Sequence, residues 1–189
     1  MLARLRTLLF LSLLAFPYAA ALADDYADTI KVFRNAGQSA KFFGNSYGHA
    51  VFPTIGKGGI GIGAAHGKGR VYAKGAYVGD TSMTQLTVGL QLGGQAYSQI
   101  IFFQDKRAFD EFTGGNFEFG AQANAVAITA GASAQASTGG TGAGATGTQG
   151  QATTSGAYQK GMAVFTAVKG GLMYEASIGG QKFSYQAKK

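Results

Sequence analysis

The chain has 189 residues, a formal net charge of +7, 31 glycines, 14 phenylalanines, nine tyrosines and no cysteine. That length suffices for one domain with a real hydrophobic core, and the missing thiols exclude disulfides, thiolate metal sites and cysteine nucleophiles. The basic excess points to an anionic partner rather than to a cationic one.

The chain opens MLARLRTLLFLSLLAFPYAAALADD. Arg4 and Arg6 precede an apolar run from Leu8 to Phe16, and Ala21-Leu22-Ala23 supplies the small-x-small pattern that a signal peptidase reads. The run is too short to cross a bilayer, which takes roughly 20 apolar residues. Residues 1–23 therefore read as a secretory signal peptide, with residues 24–189 as a single exported domain, periplasmic or envelope-associated. That remainder carries 14 bases and 9 acids. From Thr29 to Gly79 it has Lys31, Arg34, Lys41, Lys57, Lys68, Arg70 and Lys74 and no acid. These bases suggest a site for lipid headgroups or nucleic acid if they share a face, and an ordinary solvated surface if they do not.

Residues 24–43 predict an amphipathic helix. Asp24 and Asp25 can cap it, and Tyr26, Ile30, Phe33, Gly37 and Ala40 recur at the helical period. Lys31, Arg34, Gln38 and Lys41 flank that apolar stripe. Such a helix either packs on its own domain or meets a membrane.

From about Gly58 the period becomes two. Arg70, Tyr72 and Lys74 alternate with Val71, Ala73 and Gly75. Leu86, Val88, Leu90 and Leu92 alternate with Gln85, Thr87, Gly89 and Gln91, which predicts a half-buried strand with its leucines inward. Tyr97 to Phe103 is apolar enough to be buried on both faces. The segment DKRAFDEFTGG then predicts a short helix over 105–113, with Asp105 as N-cap and Gly114 as its stop. Strand character returns at Asn116–Ile128, Gly161–Val168, Leu172–Ile178 and Gln181–Gln186, with hairpin signals at Gly170-Gly171 and Gly179-Gly180. Many short strands with short connections predict an α+β fold. It would be mainly an antiparallel β sandwich or barrel-like sheet, with an N-terminal amphipathic helix and one short internal helix. Residues 131–157, rich in Gly, Ala, Ser and Thr, predict a loop between strands or a small-residue β extension.

The stretch GKGGIGIGAAHGKGRVY, Gly56 to Tyr72, contains G-x-G-x-x-G. A dinucleotide fingerprint needs a helix after the glycines, so that pyrophosphate meets a helix N-terminus. Here Ile60 and Ile62 alternate with glycine and the run leads into RVYAKGAYV, which is strand-like. The glycines predict a strand with one bare face, open to a close approach by backbone or ring. Phe52-Pro53 leads into it, and Lys57, Lys68, Arg70 and Lys74 would form one basic face if neighbouring strands carry them.

Catalytic constellations do not emerge. His49 and His66 have no acid between them, so a metal site would need carboxylates from elsewhere. Asp110 and Glu111 are adjacent on a helix and face different ways, Asp80 reads as a turn residue, and Ser46 and Ser82 lack a nucleophile motif. No enzyme, cofactor or metal is expected. The export signal also argues against nucleic acid, although the aromatic residues could stack on bases.

Four blocks carry a resemblance: VFPTIGKGGIGIGAAHGKGRVYAKG, GLQLGGQAYSQIIFF, AFDEFTGGNFEFGAQANAVA and KGGLMYEASIGGQKF. From about Ala40 to Phe183 the chain resembles the SYLF domain family. The resemblance implies phospholipid binding, to phosphoinositides in eukaryotic relatives, aided by an N-terminal amphipathic helix; yeast-like relatives also bind actin. By position, the implied basic Gly-rich segment maps to Lys57, Lys68 and Arg70, and the amphipathic lead-in to Ile30, Lys31, Phe33, Arg34 and Lys41. No catalytic residues carry over. An export signal looks like bacterial members and argues against actin, which lies in the cytosol. The expected role is thus a peripheral module for anionic phospholipid membranes; the alternative is an envelope structural or interaction protein that binds a protein or glycan.

Overall fold

The structure, a computed structural model, describes residues 18–60, 62–88, 93–121, 123–128, 157–170 and 178–189. Helices α1 (Tyr18–Asn35), α2 (Gly37–Ala40) and α3 (Phe42–Asn45) precede four long strands. These are β1 (Gly48–Ile60), β2 (Ile62–Ala73), β3 (Ala76–Val88) and β4 (Gly93–Phe103). Helix α4 (Lys106–Thr113) follows, then β5 (Phe117–Glu118), β6 (Val126–Ile128), β7 (Met162–Gly170) and β8 (Lys182–Ala187). The eight strands form one curled sheet, half of a barrel, in the order β5-β8-β3-β2-β1-β4-β7-β6, antiparallel except for the β6–β7 pair. The α+β expectation holds, as one sheet rather than two stacked ones.

The predicted 24–43 helix is broken. Ala36 leaves the helical region (φ −83°, ψ 119°), and the buried Ser39 hydroxyl turns back to donate to the Phe33 carbonyl. That bond occupies an orphan carbonyl at the end of α1, so the chain restarts as two short turns. Cleavage after Ala23 would leave the part of α1 whose Tyr26, Thr29, Ile30 and Phe33 meet the sheet. The internal helix follows its signals: the Asp105 carboxylate accepts from the Ala108 N–H at 2.8 Å, and Gly114 is the C-cap.

β1 starts earlier than the glycine pattern indicates, at Gly48, and Pro53 lies within it. Proline cannot donate to a ladder, and the register to both neighbours slips there, between Val51 and Thr54 on one side and Phe52 and Ile55 on the other. The predicted strand Asn116–Ile128 splits, and its ends pair at opposite margins of the sheet, β5 on β8 and β6 on β7. The predicted strand Leu172–Ile178, but for Ile178, lies outside the described residues, as does the 131–157 segment but for Ala157.

Both faces of the sheet are covered at one end, called the base. On the inner face Phe52, Ile55, Met83, Ile101, Phe103 and Phe183 pack against α4 through Ala108 and Phe112. On the outer face Val51, Ile100, Phe102 and Phe165 pack against α1 and α3 through Phe33 and Phe42. β4 runs between the two layers, and Tyr97 to Phe103 is buried throughout, as its continuous apolar run predicts. Gln99, Gln181 and Tyr97 satisfy one another inside the inner layer, Gln99 Nε2 to Gln181 Oε1 at 2.9 Å and Gln181 Nε2 to the Tyr97 hydroxyl at 3.3 Å. Burial pushes that phenol up to about 12.

The glycines of β2 now have a reason. Gly67 and Gly69 point inward, where the Ile55 and Phe52 side chains of the neighbouring strand lie across them. A Cβ at Gly69 would stand 2.6 Å from the Phe52 ring. Gly69→Ala should therefore cost about 1–3 kcal/mol through displacement of a fully buried ring, whereas Gly56→Ala, which meets nothing within 4 Å, should stay within about 0.5 kcal/mol. Urea denaturation of the two variants checks this.

Candidate functional site

Strand parity sorts the candidate cations. On β2 the even residues from Ile62 to Lys68 are exposed and face outward; the odd ones from Gly63 to Val71 are buried and face inward. Cα pairing carries this parity across the sheet, because side chains opposite each other share a face. Lys68 pairs with Thr54 of β1 and Ser82 of β3, and Ser82 with Ser184 of β8. Lys169 of β7 reaches over β4 and donates to the Thr54 hydroxyl at 3.1 Å. The outer face thus carries a row of Lys169, Thr54, Lys68, Ser82 and Ser184, whose two serine hydroxyls lie 2.7 Å apart. The adjacent row toward the hairpin end adds His66, Thr84 and Lys182, the last paired with Glu118 at 3.5 Å. Two ammonium groups and several hydroxyls offer many donors, which is chemistry for an anion bearing several oxygens.

The single basic face expected of Lys57, Lys68, Arg70 and Lys74 does not form. Lys57 pairs with Ala65 and Gln95, so it lies on the inner face, opposite Lys68. Arg70 is on the outer face but half-buried under α1, its guanidinium 4.3 Å from the Tyr26 ring centroid and 5.1 Å from that of Tyr77. It staples the helix to the sheet by cation–π contact. Burial raises the Tyr26 phenol, and Arg70 opposes this in part. Lys74 sits at the base, in a two-residue hairpin turn with Gly75 at φ 50° and 82°, its ammonium over the Tyr47 ring.

The helical candidates divide likewise. Lys31 is exposed and paired with Asp28 at 2.9 Å. Arg34 lies over the Phe43 ring at 4.8 Å and Lys41 over Phe42 at 5.4 Å, both still exposed. Phe33, which the resemblance places in an amphipathic lead-in to the membrane, is fully buried against the sheet. The physical reason is that its stripe covers Val51, Ile100 and Phe165, which would otherwise face water. The sequence gives no reason to group Lys169 with Lys68, because, 101 residues later in the chain, it comes near only through the β1–β4–β7 pairing.

Beneath α3 lies His49. Its ring is stacked on Tyr72 and edged by Phe43 and Phe102, and its Nε2 is buried without a hydrogen-bond partner. Burial, with Arg34 nearby, lowers its pKa from 6.5 to about 4. Among the described residues no group of acids and histidines could hold a metal ion, and no helix is long and apolar enough to cross a membrane.

The fold and its outer face define a curled antiparallel sheet with helices on both sides and a cationic, hydroxyl-lined strip beyond them. A family profile described as Ysc84, Las17-binding protein actin regulator, matches residues 84–188, more than half of the chain. The chain belongs to this family, that of the SYLF domain. Beta cell expansion factor A from Aeromonas veronii is 28% identical over 170 residues, which cover 83% of this chain and 53% of that protein. This chain thus spans about half the length of that relative.

Two measurements test these placements. Phe33→Ala should lower unfolding free energy by about 3–5 kcal/mol, as expected of a core ring, while Lys31→Ala should cost no more than about 1 kcal/mol. For His49 the sign is fixed by linkage: the unfolded chain takes up the proton below its ordinary 6.5 and the folded chain only near 4. Stability should hold above that window and fall by about 3 kcal/mol on acidification through it. His49→Phe should lose this fall, which denaturant titrations at stepped pH would reveal.

Proposed function

We propose that the chain is a non-catalytic, exported module of the bacterial envelope that binds anionic phospholipid membranes peripherally. The observation that carries the proposal is the outer-face row in which Lys68 and Lys169 flank Thr54, with Ser82 and Ser184 beside them. No carboxylate stands in this row. Phosphate oxygens accept from ammonium and hydroxyl donors alike, so a headgroup finds several partners at once. Arg34, Lys41 and Lys74 keep exposed charges elsewhere on the surface and add longer-range attraction, whereas Arg70 and Phe33 serve the fold.

Each Lys near an anionic surface contributes about 1 kcal/mol and acts over a Debye length of roughly 8–10 Å. Capture is therefore weak per residue and salt-sensitive. The family description names a protein partner, so the competing reading is a protein-binding role, and vesicle co-sedimentation separates the two. Mixed phosphatidylcholine–phosphatidylglycerol vesicles should bind the chain at low salt, phosphatidylcholine alone should bind poorly, and added salt should release it. The double reversal Lys68→Glu, Lys169→Glu should weaken binding about tenfold or more, well beyond the loss from Lys106→Glu, Lys160→Glu. Equal losses would reduce the effect to net charge, and no binding at low salt would reject the lipid reading.

A further inference from the structure

The apolar phase of β3 is inverted. Alternation places leucines inward, yet Gln85 is buried, its side-chain amide donating to the Gly179 carbonyl at 2.9 Å, and Leu86 is 77% exposed. Register leaves no choice: Leu86 pairs with Ala64 of β2, on the same outer face as Lys68 and Ser82. Ile62 lies diagonally across from it on that face and is 67% exposed. Leu86 lies in a row with Ala64 and Gly58, which are too small to cover it, while Ile62 pairs with Ile60 and Val88. Val32 on α1 is also exposed, at 38%.

We propose that the β1–β2 hairpin end with the adjoining part of β3 is the element that enters the bilayer, led by Ile62 and Leu86, while α1 stays docked on the sheet. This rests on the lipid reading above and specifies how the membrane is met. Among the described side chains of α1, Tyr26, Ile30 and Phe33 are consumed by the core, which leaves Val32 as the one large apolar group exposed there. Ile62 and Leu86 stand beside His66 and share their face with Lys68 and Lys169, an apolar end followed by cations, which is the order of acyl chain and phosphate in a leaflet. A protein partner or second copy fits less well: two side chains fall far short of the roughly 800 Å² per partner that a stable interface buries.

The chain contains no tryptophan, so a single introduced indole reports its own surroundings. Leu86→Trp and, separately, Val32→Trp are mixed with phosphatidylcholine–phosphatidylglycerol vesicles whose acyl chains are brominated, and co-sedimentation is followed in parallel. Quenching and a blue shift for Leu86→Trp, with neither for Val32→Trp, are expected. Ile62→Ser, Leu86→Ser should also weaken vesicle binding at least about tenfold, with an unfolding midpoint close to the parent's because both positions are exposed. Full co-sedimentation without quenching at position 86, or with quenching at position 32 instead, overturns hairpin insertion and leaves lipid binding standing. Absence of co-sedimentation for the parent chain overturns both.

Discussion

The close approach of β1 to β2 governs the rest of the structure. Phe52 and Ile55 of β1 lie across Gly69 and Gly67 of β2, which only residues without a Cβ permit. With those two side chains seated, the pair cannot slip by one residue without moving a buried ring into solvent. Register then propagates by period two through β3, β4, β7 and β8. It decides that Lys68 points outward and Lys57 inward, and that Gln85 is buried while Leu86 is not.

A second consequence concerns the N-terminal helices. Val51, Ile100, Phe102 and Phe165 form an apolar outer patch at the base of the sheet, and α1 and α3 bury it with Phe33 and Phe42. Arg70, held between Tyr26 and Tyr77, fixes one flank of α1, while His49 sits neutral beneath α3. The helix is amphipathic because it is a layer of this domain. Its apolar stripe has a partner already, and its bases remain at the edge, where Arg34 and Lys41 rest on rings of α3 without losing exposure.

Cations divide between structural and surface duties on the same basis. Arg70 gives its charge to two aromatic rings, and Lys31 pairs within its own helix. Lys68 and Lys169, by contrast, stand on a strip of hydroxyls that the helices leave uncovered. The difference is one of place in the sheet, since β2 carries Arg70 and Lys68 only two residues apart.

Local chemistry was legible in the sequence alone. The change of period at the glycine-rich stretch, the continuous apolar run of β4, the Asp105 cap and the glycines' bare face all follow from backbone sterics and hydrogen-bonding within a few residues. They determined an antiparallel α+β domain and excluded a nucleotide loop. Tertiary structure decided everything that depends on pairing between distant strands. Period two tells that side chains alternate but not which phase meets the core: apolarity alone points Leu86 inward and leaves the face of Lys57 open, whereas the register turns Leu86 outward and sets Lys57 on the face opposite Lys68. A base late in the chain, Lys169, joins an early one only because β7 lies two strands from β1. Phe33 reads from the sequence as apolar and helical, yet whether its stripe meets lipid or sheet is set by the apolar patch on the outer face. Alternation is a property of one strand, whereas burial is a property of the sheet and of whatever packs upon it.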